Sequence, residues 1–194
     1  MFQSEVTVQV FDNYDTIVKR LTDLGYYLKE ELLMKDYYFT WIKNIEGIRY
    51  KDLIKESFAV RFRFVEFENP QSFIVYKDKV INDNDEVVSE EITKLPINNT
   101  DTAIDIFLKS GLNNWCNTET QIAEFKKNKH SLCVQVVENL GIFIEYEEDE
   151  SMKGLPVAEK RNQMIKTLKS LKLNIGKDFS CKKSYMLLKR KIKE

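Results

Sequence analysis

Two short segments of this 194-residue chain carry paired charges at a spacing that could do chemistry. The first alternates large apolar residues with Arg61 and Arg63, so a strand there would turn both guanidinium groups to one face. The second does the same with Glu145 and Glu147, whose carboxylates would lie about 7 Å apart along a strand. Such a carboxylate pair can hold a divalent cation. An amphipathic sheet with a solvated charged face would show the same pattern, and periodicity alone favours that plainer interpretation.

The scarce residue types exclude several kinds of site. His130 is the only histidine, so a Ser-His-Asp triad or a His-rich metal centre would depend on it, and we interpret it as structural. The six glycines lie too far apart for a Walker loop or a GxGxxG motif. Cys116, Cys133 and Cys181 are odd in number and widely separated, so we expect reduced thiols. Any phosphate group would therefore be held by side chains.

Charge and hydropathy restrict the partners. Lys and Arg number 30 against 31 Asp and Glu, a net charge of -1, so we expect no nucleic-acid partner. No apolar run approaches the roughly 18 residues of a membrane span. The N-terminus opens with Glu5 and Asp12, unlike a secretory signal, so we expect a cytoplasmic protein without a membrane partner. Apolar residues at 43% suffice for one folded domain, 1–194.

The charged positions need a sheet to hold them, and the sequence predicts one. Glu5, Thr7 and Gln9 alternate with valines and share one strand face. Alternation and β-branched or aromatic composition predict eight strands, at 5–10, 35–41, 58–67, 73–79, 86–93, 118–125, 132–137 and 142–148. Helical spacing predicts helices over 13–24 and 102–110, a third beginning at Pro156 and a short last one capped by Ser184.

A short internal repeat, which we call the internal echo, suggests that the two halves of the chain have the same order of secondary-structure elements. Glu5-Val6-Thr7 precedes Gly25 by 20 residues, and Glu91-Ile92-Thr93 precedes Gly111 by the same 20. Each half would then be a strand, a helix ended by glycine, and further strands. Coincidence explains a three-residue match equally well.

Fixed-spacing motifs follow one another along nearly the whole chain. The most specific are Leu140-Gly141-Ile142-Phe143-Ile144-Glu145-Tyr146-Glu147 and Ser184-Tyr185-Met186-Leu187-Leu188. Before them come, in order, Glu5, Leu24-Gly25, Asp36-Tyr37-Tyr38-Phe39, Arg61-Phe62-Arg63, Lys77 and Glu91. This order resembles the CYTH superfamily, the triphosphate tunnel proteins that include class IV adenylyl cyclases, thiamine triphosphatases and inorganic triphosphatases.

The resemblance implies an α+β fold, an antiparallel eight-stranded β-barrel or tunnel with helices packed outside and a charged interior. It implies a triphosphate-containing small molecule as ligand and Mg²⁺ or Mn²⁺ as cofactor. The implied phosphate-binding residues are Arg61, Arg63 and Lys77. The implied metal ligands are Glu5, Glu145, Glu147 and Glu91. Glu91 could alternatively orient a basic neighbour. We expect Tyr185 to pack in the apolar core and not to contact the substrate.

Four positions depart from the family pattern. Thr7 and Gln9 replace the second Glu and the Lys of the first strand motif, Ser89 stands in place of an Arg, and Gln135 in place of an Asp. The seven remaining residues carry a net charge of -1, which would repel a triphosphate of about four negative charges. Two divalent ions would turn the site to about +3, so this count predicts metal dependence.

Three functions remain open. The first is a metal-dependent triphosphatase acting on inorganic tripolyphosphate or a nucleoside or thiamine triphosphate. The second is a class IV adenylyl cyclase that makes cyclic AMP from ATP. The third is a catalytically impaired member that binds a polyphosphate or nucleotide, which the four departures would favour. The sequence does not choose among the substrates or give the oligomeric state.

Overall fold

The computed structural model describes residues 5–49, 52–53, 57–65, 68–81 and 87–193, with backbone alone for 81, 87–90 and 191–193. The strands are β1 (Glu5–Val10), β2 (Tyr27–Thr40), β3 (Ser57–Val65), β4 (Gln71–Ile81), β5 (Val87–Ile97), β6 (Asn113–Lys127), β7 (His130–Val137) and β8 (Gly141–Glu147). Four α-helices have both ends within these ranges: α1 (Tyr14–Asp23), α2 (Thr100–Lys109), α3 (Val157–Ser170) and α4 (Lys183–Lys193). None of these helices is long and apolar enough to cross a membrane.

All eight strands form one antiparallel sheet in the order β1-β8-β7-β6-β2-β3-β4-β5, which confirms the predicted α+β class. The sheet curls into a tunnel without closing, since β1 and β5 are its two edges in the described ranges. A later segment covers the β1 edge through bridges from Thr7 to Ser180 and from Val10 to Ile175. Covering an edge in this way satisfies backbone groups that would otherwise be exposed.

The apolar core lies outside the curl, between the sheet and its helices. Alternation along β1 and β8 sends valine, isoleucine and tyrosine outward and leaves Glu5, Thr7, Glu145 and Glu147 on the inner face. The outward residues pack on α1 and α3. The buried members of this core include Val6, Val8, Ile144 and Tyr146 from the strands and Ile17, Leu21, Met164 and Leu168 from the helices. Because the core forms outside, the interior can hold charged side chains beside apolar ones.

The two halves of the chain share one plan, as the internal echo predicted. Each runs strand, helix, three strands, and the sheet order is symmetric about the central β2–β6 pair. Asn13 caps α1 and Asn99 caps α2, each through its side-chain oxygen. Gly25 and Gly111 follow the two helices with φ of +83° and +85°, a left-handed conformation that glycine adopts without strain.

Several element ends differ from the predictions. β2 begins at Tyr27, not at 35, because its first part is held by pairing with β6 although its sequence does not alternate. Ser184 does not cap the last helix, since α4 begins at Lys183 and Ser184 lies in its first turn. Tyr185 packs beside buried Trp115, as expected. Residues 66–67 and 86, at the ends of two predicted strands, lie outside the described residues, as do residues 82–85.

Candidate functional site

One cavity of about 430 Å³ occupies the interior of the curl, and all eight strands contribute to its lining. The junction with the C-terminal helix contributes as well, through Cys181 and Lys182 just before the helix and Lys183 and Ser184 in its first turn. We expected the last helix to pack on the outside of the sheet. Its N-terminal end instead reaches the interior of the curl. The inner face of the sheet is therefore a wall of a partly enclosed space that is lined by both charged and apolar side chains.

Cationic side chains line the half of the cavity formed by three successive strands. Arg61 and Arg63 come from β3, Lys77 and Lys79 from β4, and Lys94 from β5. These cations repel one another, since burial and the charges of Arg61 and Lys77 lower the pKa of Lys94. An anion bound here would relieve that repulsion.

Carboxylates face this wall from the other end of the sheet. Glu5 of β1 lies directly opposite Glu147 of β8, and the next inward pair is Thr7 and Glu145. One carboxylate oxygen from each glutamate lies within 4.8 Å of the others. Oxygen ligands at this separation fit Mg²⁺ or Mn²⁺, which prefer carboxylates.

Two lysines at the start of α4 contact these carboxylates. Lys182 Nζ lies 3.3 Å from Glu5 Oε1, and Lys183 Nζ lies 3.1 Å from Glu145 Oε2. Burial acts to raise the pKa of Glu5, but Lys182, Lys77 and Lys183 outweigh it and lower that pKa to about 2. The Glu5 carboxylate is therefore ionised at neutral pH.

A buried ion pair supports the cationic wall. Arg61 Nε and Nη2 each donate to one oxygen of Asp36 at 2.6 Å, in the bidentate geometry that suits guanidinium and carboxylate. Asp36 is 2% exposed and also accepts a hydrogen bond from Tyr38 Oη at 3.2 Å. Burial acts to lower the Arg61 pKa, but the charge and hydrogen bonds of Asp36 raise it above its ordinary value.

Six of the seven residues named from the sequence line the cavity: Arg61, Arg63, Lys77, Glu5, Glu145 and Glu147. Glu91 does not. It is exposed on β5 opposite Asp78, because Ile92 and Lys94 take the inward positions of that strand. The three-carboxylate cluster of the described residues accordingly forms without it.

Two of the four uncharged replacements, Thr7 and Gln135, line the cavity. Thr7 and Gln135 are 3% and 2% exposed. The Thr7 hydroxyl donates to Glu145 Oε2 at 3.3 Å, and the Gln135 side-chain oxygen accepts from Lys183. Gln9 is absent from the described lining. The side chain of Ser89 lies outside the described residues.

Five charged residues of the lining were missed from the sequence: Asp36, Lys79, Lys94, Lys182 and Lys183. With them, the described lining carries seven cations and four anions, a net charge of +3. The expected charge of -1 is therefore wrong, and with it the argument that charge alone demands metal. Extending the period-two pattern from Lys77 would have found Lys79, whereas the assumed inward position of Glu91 excluded Lys94, which lies on the opposite face of the same strand. The lysines of α4 carried no such signal, since only the tertiary fold brings them inside.

Comparison by sequence finds no matching family model and no matching curated protein. Comparison by structure finds the same architecture in several solved proteins. The PH1819 protein of Pyrococcus horikoshii OT3 is 18% identical over 96% of this chain and 99% of its own, with a TM-score of 0.68. A candidate adenylate cyclase of Vibrio parahaemolyticus is 13% identical over 98% of both chains, with a TM-score of 0.60.

The candidate adenylyl cyclase HpAC1 from Hippeastrum, which has a dominant triphosphatase activity, is also similar. It is 11% identical over 97% of this chain and 96% of its own, with a TM-score of 0.56. At these identities the likeness concerns the fold. In fold, the likeness agrees with the resemblance that the sequence motifs indicated, since two of these similar chains are candidate adenylyl cyclases.

Proposed function

We propose that this chain is a CYTH-type triphosphate tunnel protein that binds a triphosphate-containing small molecule with Mg²⁺ or Mn²⁺ and hydrolyses its phosphoanhydride. One observation carries the proposal. A single cavity sets a cationic wall on β3, β4 and β5 against a carboxylate cluster on β1 and β8. A metal-triphosphate complex needs both kinds of group within one site.

The carboxylate cluster fits the metal. Glu5, Glu145 and Glu147 offer oxygens from two paired strands, and the low pKa of Glu5 keeps that ligand ionised. A divalent ion held there would supply positive charge to the phosphate oxygens and a water of lowered pKa as nucleophile. Rigid adjacent strands fix the ligand positions better than loops would.

The cationic wall fits the phosphates. Phosphoryl transfer depends mainly on positioning and on stabilising negative charge, and Arg61, Arg63 and Lys77 supply both from neighbouring strands. The bidentate contact with Asp36 fixes the Arg61 guanidinium in place. The net charge of +3 in the described lining attracts a triphosphate even before metal is counted.

The direct test measures phosphate release from tripolyphosphate, ATP and thiamine triphosphate in the presence of Mg²⁺ or Mn²⁺. We expect Glu145→Gln to remove most of the metal-dependent release, because it takes away one ligand charge from the cluster. Glu150→Gln is the matched control, since Glu150 is exposed and contacts Lys129 outside the cavity. Absence of release from all three substrates with both metals would refute hydrolysis.

Two alternatives have their own support. Adenylyl cyclase activity is favoured by the shared fold with candidate adenylate cyclases, and cyclic AMP formation from ATP decides it. Binding without catalysis is favoured by the uncharged, buried Thr7 and Gln135, at positions where charge was expected. Calorimetric binding of tripolyphosphate with no turnover would establish it.

A further inference from the structure

The start of α4 places two lysines where the proposed metal would bind. Lys182 lies just before the helix, Lys183 is its first residue, and both side chains line the cavity with about one fifth of their surface exposed. Each ammonium contacts a different carboxylate of the cluster, Lys182 with Glu5 and Lys183 with Glu145. The two lysines thus provide the positive charge that a divalent ion would otherwise supply.

This placement of two lysines is electrostatically unfavourable for helix α4. The N-terminal end of a helix carries partial positive charge and favours acidic residues, yet the first turn of α4 contains none. Lys182 and Lys183 add two cations at that end, beside the cavity wall that already holds Lys77. Positive charge gathered at a helix N-terminus is an attractive position for a phosphate.

The same lysines compete with a metal for its ligands. A divalent ion on Glu5 and Glu145 would share their carboxylates with two ammonium groups now 3.1–3.3 Å away. The cations would repel each other, so tight metal binding requires the lysines to move. Lysine is suited to this because its charge sits on a long flexible stem, and a bound polyphosphate would offer it a new partner.

We propose that Lys182 and Lys183 bind the phosphates of the ligand and that, before the ligand arrives, they block the metal-binding carboxylates. The inference rests on the proposed function and adds a coupling to it: polyphosphate and metal favour each other because the polyphosphate draws the lysines off Glu5 and Glu145. The two lysines also restore cations that the resemblance leads one to expect at Gln9 and Ser89.

The experiment uses Lys182→Gln and Lys183→Gln, with Lys189→Gln as the matched control. Lys189 lies on the same helix, exposed, 4.4 Å above the Tyr185 ring and outside the cavity. Mn²⁺ binding is measured alone, since Mn²⁺ also binds tripolyphosphate in solution, and tripolyphosphate binding is measured separately in EDTA. Each cavity variant is expected to bind Mn²⁺ more tightly and tripolyphosphate about tenfold more weakly, the effect of losing one charge-assisted hydrogen bond.

Opposite shifts of the two affinities distinguish this coupling from a structural role. Loss of both affinities in the cavity variants, or no change beyond the Lys189→Gln control, would overturn the inference. Lys183→Arg keeps the charge and should retain tripolyphosphate binding, and circular dichroism checks that each variant folds. If the unaltered chain binds no tripolyphosphate with or without metal, the proposed function fails. If it binds and the variants bind equally well, only this inference fails.

Discussion

The Asp36–Arg61 pair should respond very unequally to loss of either partner. Both side chains line the cavity, but Asp36 is 2% exposed whereas the Arg61 side chain is 19% exposed. Replacing Arg61 with methionine removes both 2.6 Å hydrogen bonds and leaves the buried carboxylate with the Tyr38 hydroxyl among its donors. Replacing Asp36 with asparagine leaves a guanidinium that cavity water can solvate.

The magnitudes follow from those environments. Removing one partner of a buried ion pair typically costs about 3–5 kcal/mol of unfolding free energy, and we expect Arg61→Met to fall in that range. Because the Arg61 side chain is more exposed than Asp36, Asp36→Asn should cost only about 1–3 kcal/mol. The control Arg63→Met should cost less than about 1 kcal/mol, since Arg63 and its partner Glu30 are each 27% exposed.

Urea denaturation at neutral pH, with fluorescence as the probe, measures the three single variants and the Asp36→Asn/Arg61→Met double variant. The double variant should be more stable than Arg61→Met alone, because the orphaned carboxylate is gone. Equal costs for the two single substitutions, or a larger cost for Asp36→Asn, would refute the argument that cavity water solvates the arginine.

Three further outcomes are expected. Because the folded pKa of Glu5 is lowered to about 2 from 4.5, its ionisation contributes stability above about pH 4.5 that is lost as pH falls towards 2. In Glu5→Gln, the free energy of unfolding measured in urea should fall less between pH 4.5 and 2, by at most about 3 kcal/mol. An unchanged pH dependence would contradict this prediction. Burial, then Glu145 and Glu147, raise the pKa of Cys133 to about 12, so its alkylation by iodoacetamide at pH 8 should be slow. Glu145→Gln or Glu147→Gln should each speed it by about threefold to tenfold, and equal rates in all three proteins would place the carboxylates elsewhere. Glu147→Gln should weaken Mn²⁺-stimulated phosphate release at least about tenfold while Glu91→Gln leaves it unchanged, because only Glu147 faces the cavity; a matching loss with Glu91→Gln would restore the sequence-based assignment.

The sequence predicted the inner faces of the sheet better than its ends. Period-two alternation is a local property, so it placed Thr7, Arg61 and Glu145 on the polar faces of their strands without knowledge of strand pairing, and the family resemblance predicted that these faces turn inward. The start of β2 was missed because Tyr27 to Glu31 has no alternation and is held by its pairing with β6. Pairing is a tertiary effect that local composition does not record.

The charge of the site was mispredicted for a related reason. The count of -1 included Glu91, which faces outward, and omitted lysines that reach the cavity from a helix predicted to be outside cover. Glu91 was placed by motif order although the inward Lys94 lies an odd number of positions away, so the two must face opposite sides of the strand. For Lys182 and Lys183 no periodic pattern exists, because they lie at the junction between the β1 edge segment and α4.

The symmetry of the backbone and the asymmetry of its charges together explain why one cavity can serve a metal and an anion. The halves of the sheet are equivalent in strand order, so β8 beside β1 corresponds to β4 beside β5. In the first pair the charged inward residues are carboxylates, and in the second they are lysines. A sheet that curls brings its two edges towards each other, so these opposite charges meet across the cavity. A ligand carrying only negative charge would contact one wall, whereas a metal-bound polyphosphate complements both, and Lys182 and Lys183 lie where they can exchange between the two.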